Sequence, residues 1–533
     1  MTRAIGWARL WELVDGLFPA EDSAARPPAR HWPLRLLIFV AWLALVTFLV
    51  AHHVMWRDEV RALSLATQGA SILDMPAAAR GYGHPLLWHV LLRFGTDLLG
   101  TKLVLPGLAL AIGIVAAAIL VFVARLSLPV MILTLFGGFA TFDYVVMARN
   151  YGLAMLLLLL VAWAYPGVRE RGRSHPLILG GLLFLLCNAN VHAVVLAGAF
   201  GIFWLGDLIA QEGWGWSRTK RQWLTAMIVA GLGALLAFVS VYPSVEDAPA
   251  AVHRSFGQTL LHLIPGVEFQ RIFGNFNASL PVMILAAVLV TGSVAAFARR
   301  PAALVAAVAA LGGLQLLFVF VYPGHYRHDA LLIVFFVVLH WLTAKGFGGW
   351  HDTVFTRRAE RIGRITFLAL LAAQLPATAR AVVQAAKAQP QGEAKALVDL
   401  LATKGLSRSV VIADPDFLIE SIAYYGANPT WSVRRDRFTS LVPMTLAETA
   451  PMSPGRLLAT AKRLAAAKHR PVVILLSTPL DDVRQRAVID RGTFGPLVLD
   501  PDDIAKFRAA TTKLATLRTA SGDEVYDVYR LAP

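Results

Sequence analysis

Short polar stretches interrupt an otherwise apolar chain, and they hold residue types able to take protons or grip phosphate. The first is Trp56-Arg57-Asp58-Glu59-Val60-Arg61, followed by Gly83-His84-Pro85-Leu86-Leu87-Trp88-His89. Asp143 and the pair Arg149 and Tyr151 come next, then Asn190-Val191-His192, and finally His325-Tyr326-Arg327-His328. A carboxylate partly withdrawn from water gains basicity, and one within reach of a hydroxyl can act as its general base. Asp58 and Glu59 are of that type. An arginine at a membrane boundary is a good bidentate phosphate ligand, a role open to Arg149 and Arg327, with Tyr151 and His328 beside them. His84, Asp143, His192, His325 and Tyr326 are the polar groups available to a bound substrate. His325 and His328, spaced i, i+3, with Asp58, Glu59 and His84, also admit a divalent metal, although their spacing is diagnostic of none. Each stretch has a plainer reading: acids offsetting snorkelled arginines, arginines anchoring headgroups, histidines capping helices. On charge alone both readings of Asp58 and Glu59 stand. Two cationic stretches and a carboxylate on one side of a membrane point to a base beside an anionic lipid phosphate.

What must position these groups is a series of apolar runs. The chain has 533 residues, 57% hydrophobic and 16% charged, with mean hydropathy +0.60. Soluble chains run at about 45–50% apolar and about 25% charged. The surplus falls in runs of roughly 17–25 residues, long enough to cross the hydrocarbon as helix, and predicts a polytopic α-helical membrane protein with about 11 transmembrane helices between 34 and 380. Residues 1–33, with Trp7, Leu10, Trp11, Val14 and Phe18 at helical spacing, predict an amphipathic helix on the cytoplasmic face.

The basic residues of short loops collect in 125–129, 167–176, 211–223, 298–301 and 346–364, all on one side of the zigzag, which marks that side as cytoplasmic. The first outer loop 53–101, the Asp143 loop, the Asn190–His192 break, the loop 243–279 and the His325–His328 turn then share the other side. The net charge of +15 is accounted for by those basic loops, without a nucleic-acid surface. The single cysteine, Cys187, excludes an internal disulfide and a cysteine-based metal site. The first apolar run starts near 34, too far in for a cleavable signal peptide. From about 390 to 533 the composition turns soluble, with apolar runs at Ser409–Ala413 and Pro471–Leu476, a helix opening at Ser453-Pro454, and alternation over Glu524–Tyr529. Strands alternating with helices predict a small α/β domain, placed outside the cytoplasm by the outward end of the last span.

Taken in order, Arg57-Asp58-Glu59 after the first span, Gly83-His84-Pro85-Leu86-Leu87-Trp88, and Ala148-Arg149-Asn150-Tyr151-Gly152-Leu153 resemble the C-type (GT-C) glycosyltransferase superfamily. The nearer likeness is to its branch of protein mannosyltransferases and the lipid A aminoarabinose transferase. The topology covers 34–380, the specific motifs about sixty residues of it. The resemblance implies an enzyme of the bacterial inner membrane, with its N-terminus cytoplasmic and its terminal domain periplasmic. It implies transfer of a sugar from a polyprenyl-phosphate donor to a glycan, lipid or protein acceptor on the outer face. Asp58 would then be the base, and Arg149 and Arg327 the groups holding the phosphate. The sequence departs from the family pattern at Met147, where many relatives carry an acid; Asp143 lies four residues back. The alternative is a non-enzymatic transporter or flippase of a lipid-linked glycan. It fits less well, because the centres of the spans are nearly free of charge.

Overall fold

In hydrocarbon every backbone N–H and C=O must be satisfied within its own segment, so apolar runs of this length fold as helices. The computed structural model describes residues 32–75, 82–169, 175–243, 255–273, 279–481, 483–519 and 524–532, with positions 16 and 18. Apart from Phe18, the expected N-terminal amphipathic helix lies outside the described residues, as does much of the loop 243–279.

The elements used below are α1 (Trp32–His52), α2 (Arg57–Ala66), α3 (Leu87–Leu99), α4 (Val104–Ala118) and α5 (Leu128–Leu135). A π-helical segment, Phe139–Val146, precedes α6 (Tyr151–Arg169), α7 (Pro176–Cys187), α8 (Val191–Glu212) and α9 (Arg218–Val241). Then come α10 (Leu280–Val294), α11 (Pro301–Phe320), α12 (Tyr326–Thr343), α13 (Val354–Ala372) and α14 (Leu375–Ala386).

Among the described residues, nine helices are long and apolar enough to cross a membrane, or up to ten if α5 and the π-helical segment count as one bent span. This is the architecture of a polytopic helical membrane protein, with fewer spans than the hydropathy runs suggest. Two runs account for the difference. The run 177–192 yields the twelve-residue α7, about 18 Å of helix, ended at Asn188. The run 129–142 bends by 41° between α5 and the π-helical segment. At that bend a Cβ on Gly138 would lie 2.5 Å from Ala377 Cβ and 2.7 Å from Tyr326 Oη, so only glycine lets α14 and α12 approach so closely. The basic stretch 357–364, expected in a loop, is helical and belongs to α13. Arginine is a good helix former, so charge alone does not end a helix.

The centre of the bundle is α12. Sixteen of its eighteen residues are buried. A helix that is apolar all round is one enclosed by others. Its first turn carries Arg327 and His328, so the best-packed element of the bundle presents the last polar stretch. Beside it, α6 crosses the π-helical segment at Gly152, where any Cβ would overlap the Tyr144 carbonyl. That close crossing brings Arg149 and Tyr151 next to the start of α12.

The C-terminal domain is a mixed six-stranded sheet. In chain order its parts are α15 (Ala394–Thr403), β1 (Val410–Asp414), β2 (Thr430–Ser432), β3 (Arg437–Phe438), α16 (Pro454–Lys468) and β4 (Val472–Leu476). A separate hairpin of β5 (Ala487–Ile489) and β6 (Leu497–Leu499) follows, then α17 (Pro501–Ala510), β7 (Thr511–Leu517) and β8 (Tyr526–Leu531). The strand order is β3-β2-β1-β4-β8-β7, with β1 parallel to β2 and β4 and β8 antiparallel to β4 and β7. Every residue of β1 and β4 is buried, as continuous apolar runs covered on both faces must be. Val410 and Ile412 face α16 and α17, whereas Val411 and Ala413 face α15, the period-two alternation of a strand. Ser453 Oγ accepts from Arg456 N and caps α16 where the Ser-Pro pair stands.

This domain packs onto the membrane bundle at α2. Arg57 N donates to Glu524 Oε1 at 2.8 Å, Arg61 Nη2 to Glu420 Oε1 at 2.8 Å, and Met55 N to Tyr425 Oη at 2.6 Å. The Arg57 guanidinium lies over the Phe417 ring, 4.3 Å from its centroid.

A candidate active site at the start of the central helix

Helix α2 begins one residue after Trp56, so Asp58 and Glu59 fall in its first turn, where the helix dipole favours negative charge. Successive residues on a helix point about 100° apart, and the two acids go to different places. Glu59 is fully buried. Its Oε1 accepts from Ala148 N at 2.6 Å and its Oε2 from Trp56 N at 3.1 Å, with His53 Nε2 at 2.9 Å. Both oxygens are engaged, so Glu59 is turned inward and away from the cations that Asp58 faces. It ties the first polar stretch to Ala148, the residue before Arg149.

Asp58 is half-buried and faces cations. Its Oδ2 lies 2.5 Å from Arg149 Nη1 and 3.7 Å from Arg327 Nη2, and its Oδ1 accepts from Arg57 Nε at 3.2 Å. Burial alone would raise the carboxyl pKa. Arg149, then Arg57 and Arg327, outweigh it and hold Asp58 well below the usual carboxylate range. The reverse effect holds Arg149 firmly charged: burial opposes the guanidinium, and Asp58 more than restores it.

His84 completes this face. Its Nε2 stands 3.2 Å from Arg149 Nη2. Burial, then Arg149, push the imidazole well below its ordinary pKa, so the ring is neutral and that nitrogen accepts. The Tyr82 ring packs edge-on against His84 and His89, at 5.0 and 5.3 Å. Tyr151 lies between the two phosphate-binding candidates, with the Arg149 and Arg327 guanidinium carbons 5.8 and 5.9 Å from its ring centroid.

Behind this layer is a histidine pair. His325 N donates to His328 Nδ1 at 3.0 Å. A neutral His328 therefore carries its proton on Nε2, which lies 2.7 Å from Tyr151 Oη and donates to it. The Tyr151 hydroxyl hydrogen is left to point elsewhere. His192 stacks on His328 at 4.3 Å and 11°. His325 faces Arg271, whose Nη1 is 2.7 Å from its Nδ1; burial, then Arg271, bring its pKa down to about 4.

Chain positions 58, 84, 149, 151 and 327 thus converge, with 192, 325 and 328 one layer deeper. One expected site residue does not join them, and another sits in a different element from the one expected. Tyr326 points at Gly138 into the helix packing, because it lies on the side of α12 away from Arg327. Asp143 belongs to the π-helical segment rather than to a loop, and Arg327 is the cation that acts on it. No three His, Cys, Asp or Glu side chains converge as metal ligands among the described residues. The set considered for a divalent ion is dispersed: Asp58 faces guanidinium groups, Glu59 is enclosed, and His325 faces Arg271.

The structure adds residues that no motif singled out. Glu420 and Glu524 hold Arg61 and Arg57 from the sheet domain, and Asp329 lies fully buried one turn into α12. A sequence signal existed only for Asp329, an acid inside an apolar run. Compared with family models, curated proteins and solved structures, the chain finds no match.

Proposed function

We propose that this protein is a glycosyltransferase of the bacterial inner membrane. It takes a sugar from a polyprenyl-phosphate donor and transfers it to a hydroxyl-bearing glycan, lipid or protein at the outer face. In this reading the bundle is a GT-C-like domain and the C-terminal domain is periplasmic. The observation that carries it is the convergence of one carboxylate, Asp58, with the guanidinium groups of Arg149 and Arg327 at one end of the bundle.

The resting geometry suggests how the groups divide the work. Asp58 is a poor base while three arginines hold it. An incoming phosphate monoester or diester is a better bidentate partner for Arg149 and Arg327. As it takes them, the charges that depress Asp58 are neutralised and its basicity rises. Asp58 then removes the proton of the acceptor hydroxyl, and that oxygen attacks the anomeric carbon. The bond between that carbon and the phosphate oxygen breaks, and its electron pair leaves on polyprenyl phosphate. Arg149 and Arg327 stabilise the charge that develops on the leaving group. Neutral His84, fixed against Arg149, is placed to bind a sugar hydroxyl. Base and clamp are thereby coupled, and the base becomes active when a donor is present.

The test is mass spectrometry of surface glycans and envelope lipids from cells with and without the protein, which reports sugar and acceptor together. A glycan or lipid lacking one sugar is the expected result. Identical profiles, with no release of polyprenyl phosphate by the purified protein, would overturn the proposal.

A further inference from the structure

Tyr322 belongs to none of the polar stretches, yet it stands beside the candidate site. It follows α11 directly, and its amide N–H donates to Leu317 O at 3.0 Å, which holds the chain as the helix ends. Its ring meets those of His325 and His328 at 6.0 and 5.6 Å. Burial, then the nearby Tyr151 hydroxyl, raise its phenol above the ordinary range, and Arg327, Asp58 and Arg149 also act on it. Tyr322 is nevertheless 40% exposed. It is an aromatic surface that a ligand at the arginines can reach.

His328 is the hub of this group of rings. His192 stacks on it at 4.3 Å and 11°, Tyr151 lies at 5.3 Å, and Tyr322 meets it edge-on. Both nitrogens of His328 are engaged, one by His325 N and one by the Tyr151 hydroxyl. Those of His192 are not: its Nδ1 and Nε2 are buried and have no hydrogen-bond partner among the described residues. His328 covers one face of the ring and Phe318 packs 5.6 Å away, so its polar edge is what a ligand would meet. An imidazole in its neutral form offers one donor and one acceptor, and a hydroxyl group can answer both. The Tyr151 hydroxyl, which accepts from His328, has its own hydrogen to give. Buried groups of this kind are costly to leave unpaired, so they favour a ligand that pairs with them.

An aromatic surface beside unpaired hydrogen-bonding groups suits a carbohydrate. The C–H face of a pyranose packs on a ring, and its hydroxyls need donors and acceptors close by. Arg149 and Arg327 adjoin the cluster, their guanidinium carbons 5.8 and 5.9 Å from the Tyr151 centroid. A sugar whose phosphate lies on these arginines is within reach of the rings. Two guanidinium groups so close disfavour an ammonium group on that sugar. We propose that Tyr322 and His192 form the subsite for the donor's sugar, Tyr322 as its stacking platform and His192 as partner of a hydroxyl, and that this sugar is uncharged. The subsite rests on the transferase reading of Asp58, Arg149 and Arg327, and adds to it the residues that tell one donor from another.

The experiment uses the full-length protein in nanodiscs. Equilibrium binding is measured for polyprenyl phosphate alone, for polyprenyl-phosphate glucose, mannose and galactose, and for polyprenyl-phosphate aminoarabinose, which carries an ammonium group. At least one neutral donor should bind about tenfold more tightly than the aminoarabinose donor. Tyr322→Leu should weaken that neutral donor about tenfold and leave polyprenyl phosphate alone unchanged. His192→Phe keeps the ring stack on His328 and removes both nitrogens; it should give the same result, and it serves should Tyr322→Leu fail to fold. Equal loss for the carrier with and without sugar, or no loss for either, would refute the subsite. A preference for aminoarabinose, or no preference among the sugars, would refute an uncharged one. Failure of wild-type protein to bind polyprenyl phosphate itself would overturn the transferase reading, and the subsite with it.

Discussion

Asp58→Asn keeps the side chain's shape and removes its charge, and its two consequences should have opposite signs. The carboxylate lies 2.5 Å from Arg149 Nη1 and 3.7 Å from Arg327 Nη2. An ion pair at such distances is worth up to about 4 kcal/mol at an effective dielectric of about 20. The side chain is 18% exposed, and screening reduces the pair to about 1–2 kcal/mol. That is the cost a donor phosphate meets when it displaces Asp58. Removing it should tighten binding of polyprenyl phosphate about five- to thirty-fold. The transfer step should meanwhile fall about 10²- to 10⁴-fold, the usual contribution of a general base. Both quantities are measurable on full-length protein in nanodiscs, by equilibrium binding of polyprenyl phosphate and by single-turnover transfer. Near-wild-type transfer by the variant would refute Asp58 as the base. Weaker phosphate binding would refute the competition between Asp58 and the phosphate.

Glu59→Gln should cost about 1–3 kcal/mol of stability, because an amide NH₂ cannot accept from Ala148 N, Trp56 N and His53 together; residual transfer should keep the wild-type pH profile, as a positioning role requires. Gly152→Ala should destabilise by about 1–3 kcal/mol, since the new Cβ forces α6 off the Tyr144 carbonyl, and denaturation in detergent reads it directly. Glu524→Gln should loosen the start of α2, seen as faster amide exchange at Arg57, with a drop in transfer although Glu524 touches no substrate. Burial brings His89 and His325 down to about 4, against about 6.5 in an unfolded chain. Between those values the unfolded chain binds more protons, so stability is full above about pH 6.5 and falls as pH drops toward 4. His89→Gln should flatten that slope in thermal melts; Asp58, whose pKa is depressed, adds to acid sensitivity only below the ordinary carboxylate range.

The bundle was legible because hydrophobic runs and basic loops report two strong forces, hydrocarbon burial and the bias of positive charge. The site was partly legible for a related reason. Polar residues at the ends of apolar runs are few, and alternate turns share a side, so Asp58, His84, Arg149 and Arg327 were bound to lie on one face. What separated Asp58 from Glu59 was helix phase, and phase is set by packing against Ala148, 89 residues away. Tyr326 was misplaced for the same reason: one step along α12 turns a side chain from the site into the bundle. Asp143 was misread because the Gly137-Gly138 bend let a π-helical segment continue through what reads as a loop. The docking of the sheet domain left no local trace, since Glu420 and Glu524 look like ordinary acids until the fold brings them to Arg61 and Arg57.

That docking bears on how the molecule is made. Glu524 lies 467 residues after the Arg57 amide that it accepts from, at the approach to β8, the strand inserted between β4 and β7. A ribosome must therefore finish nearly the whole chain before α2 acquires its last support. Until then, the helix carrying Asp58 lacks the acceptor for its first amide, although Glu420 already lies in the chain to meet Arg61. A chain terminated before Glu524 would lack the group that accepts from the Arg57 amide at the start of α2.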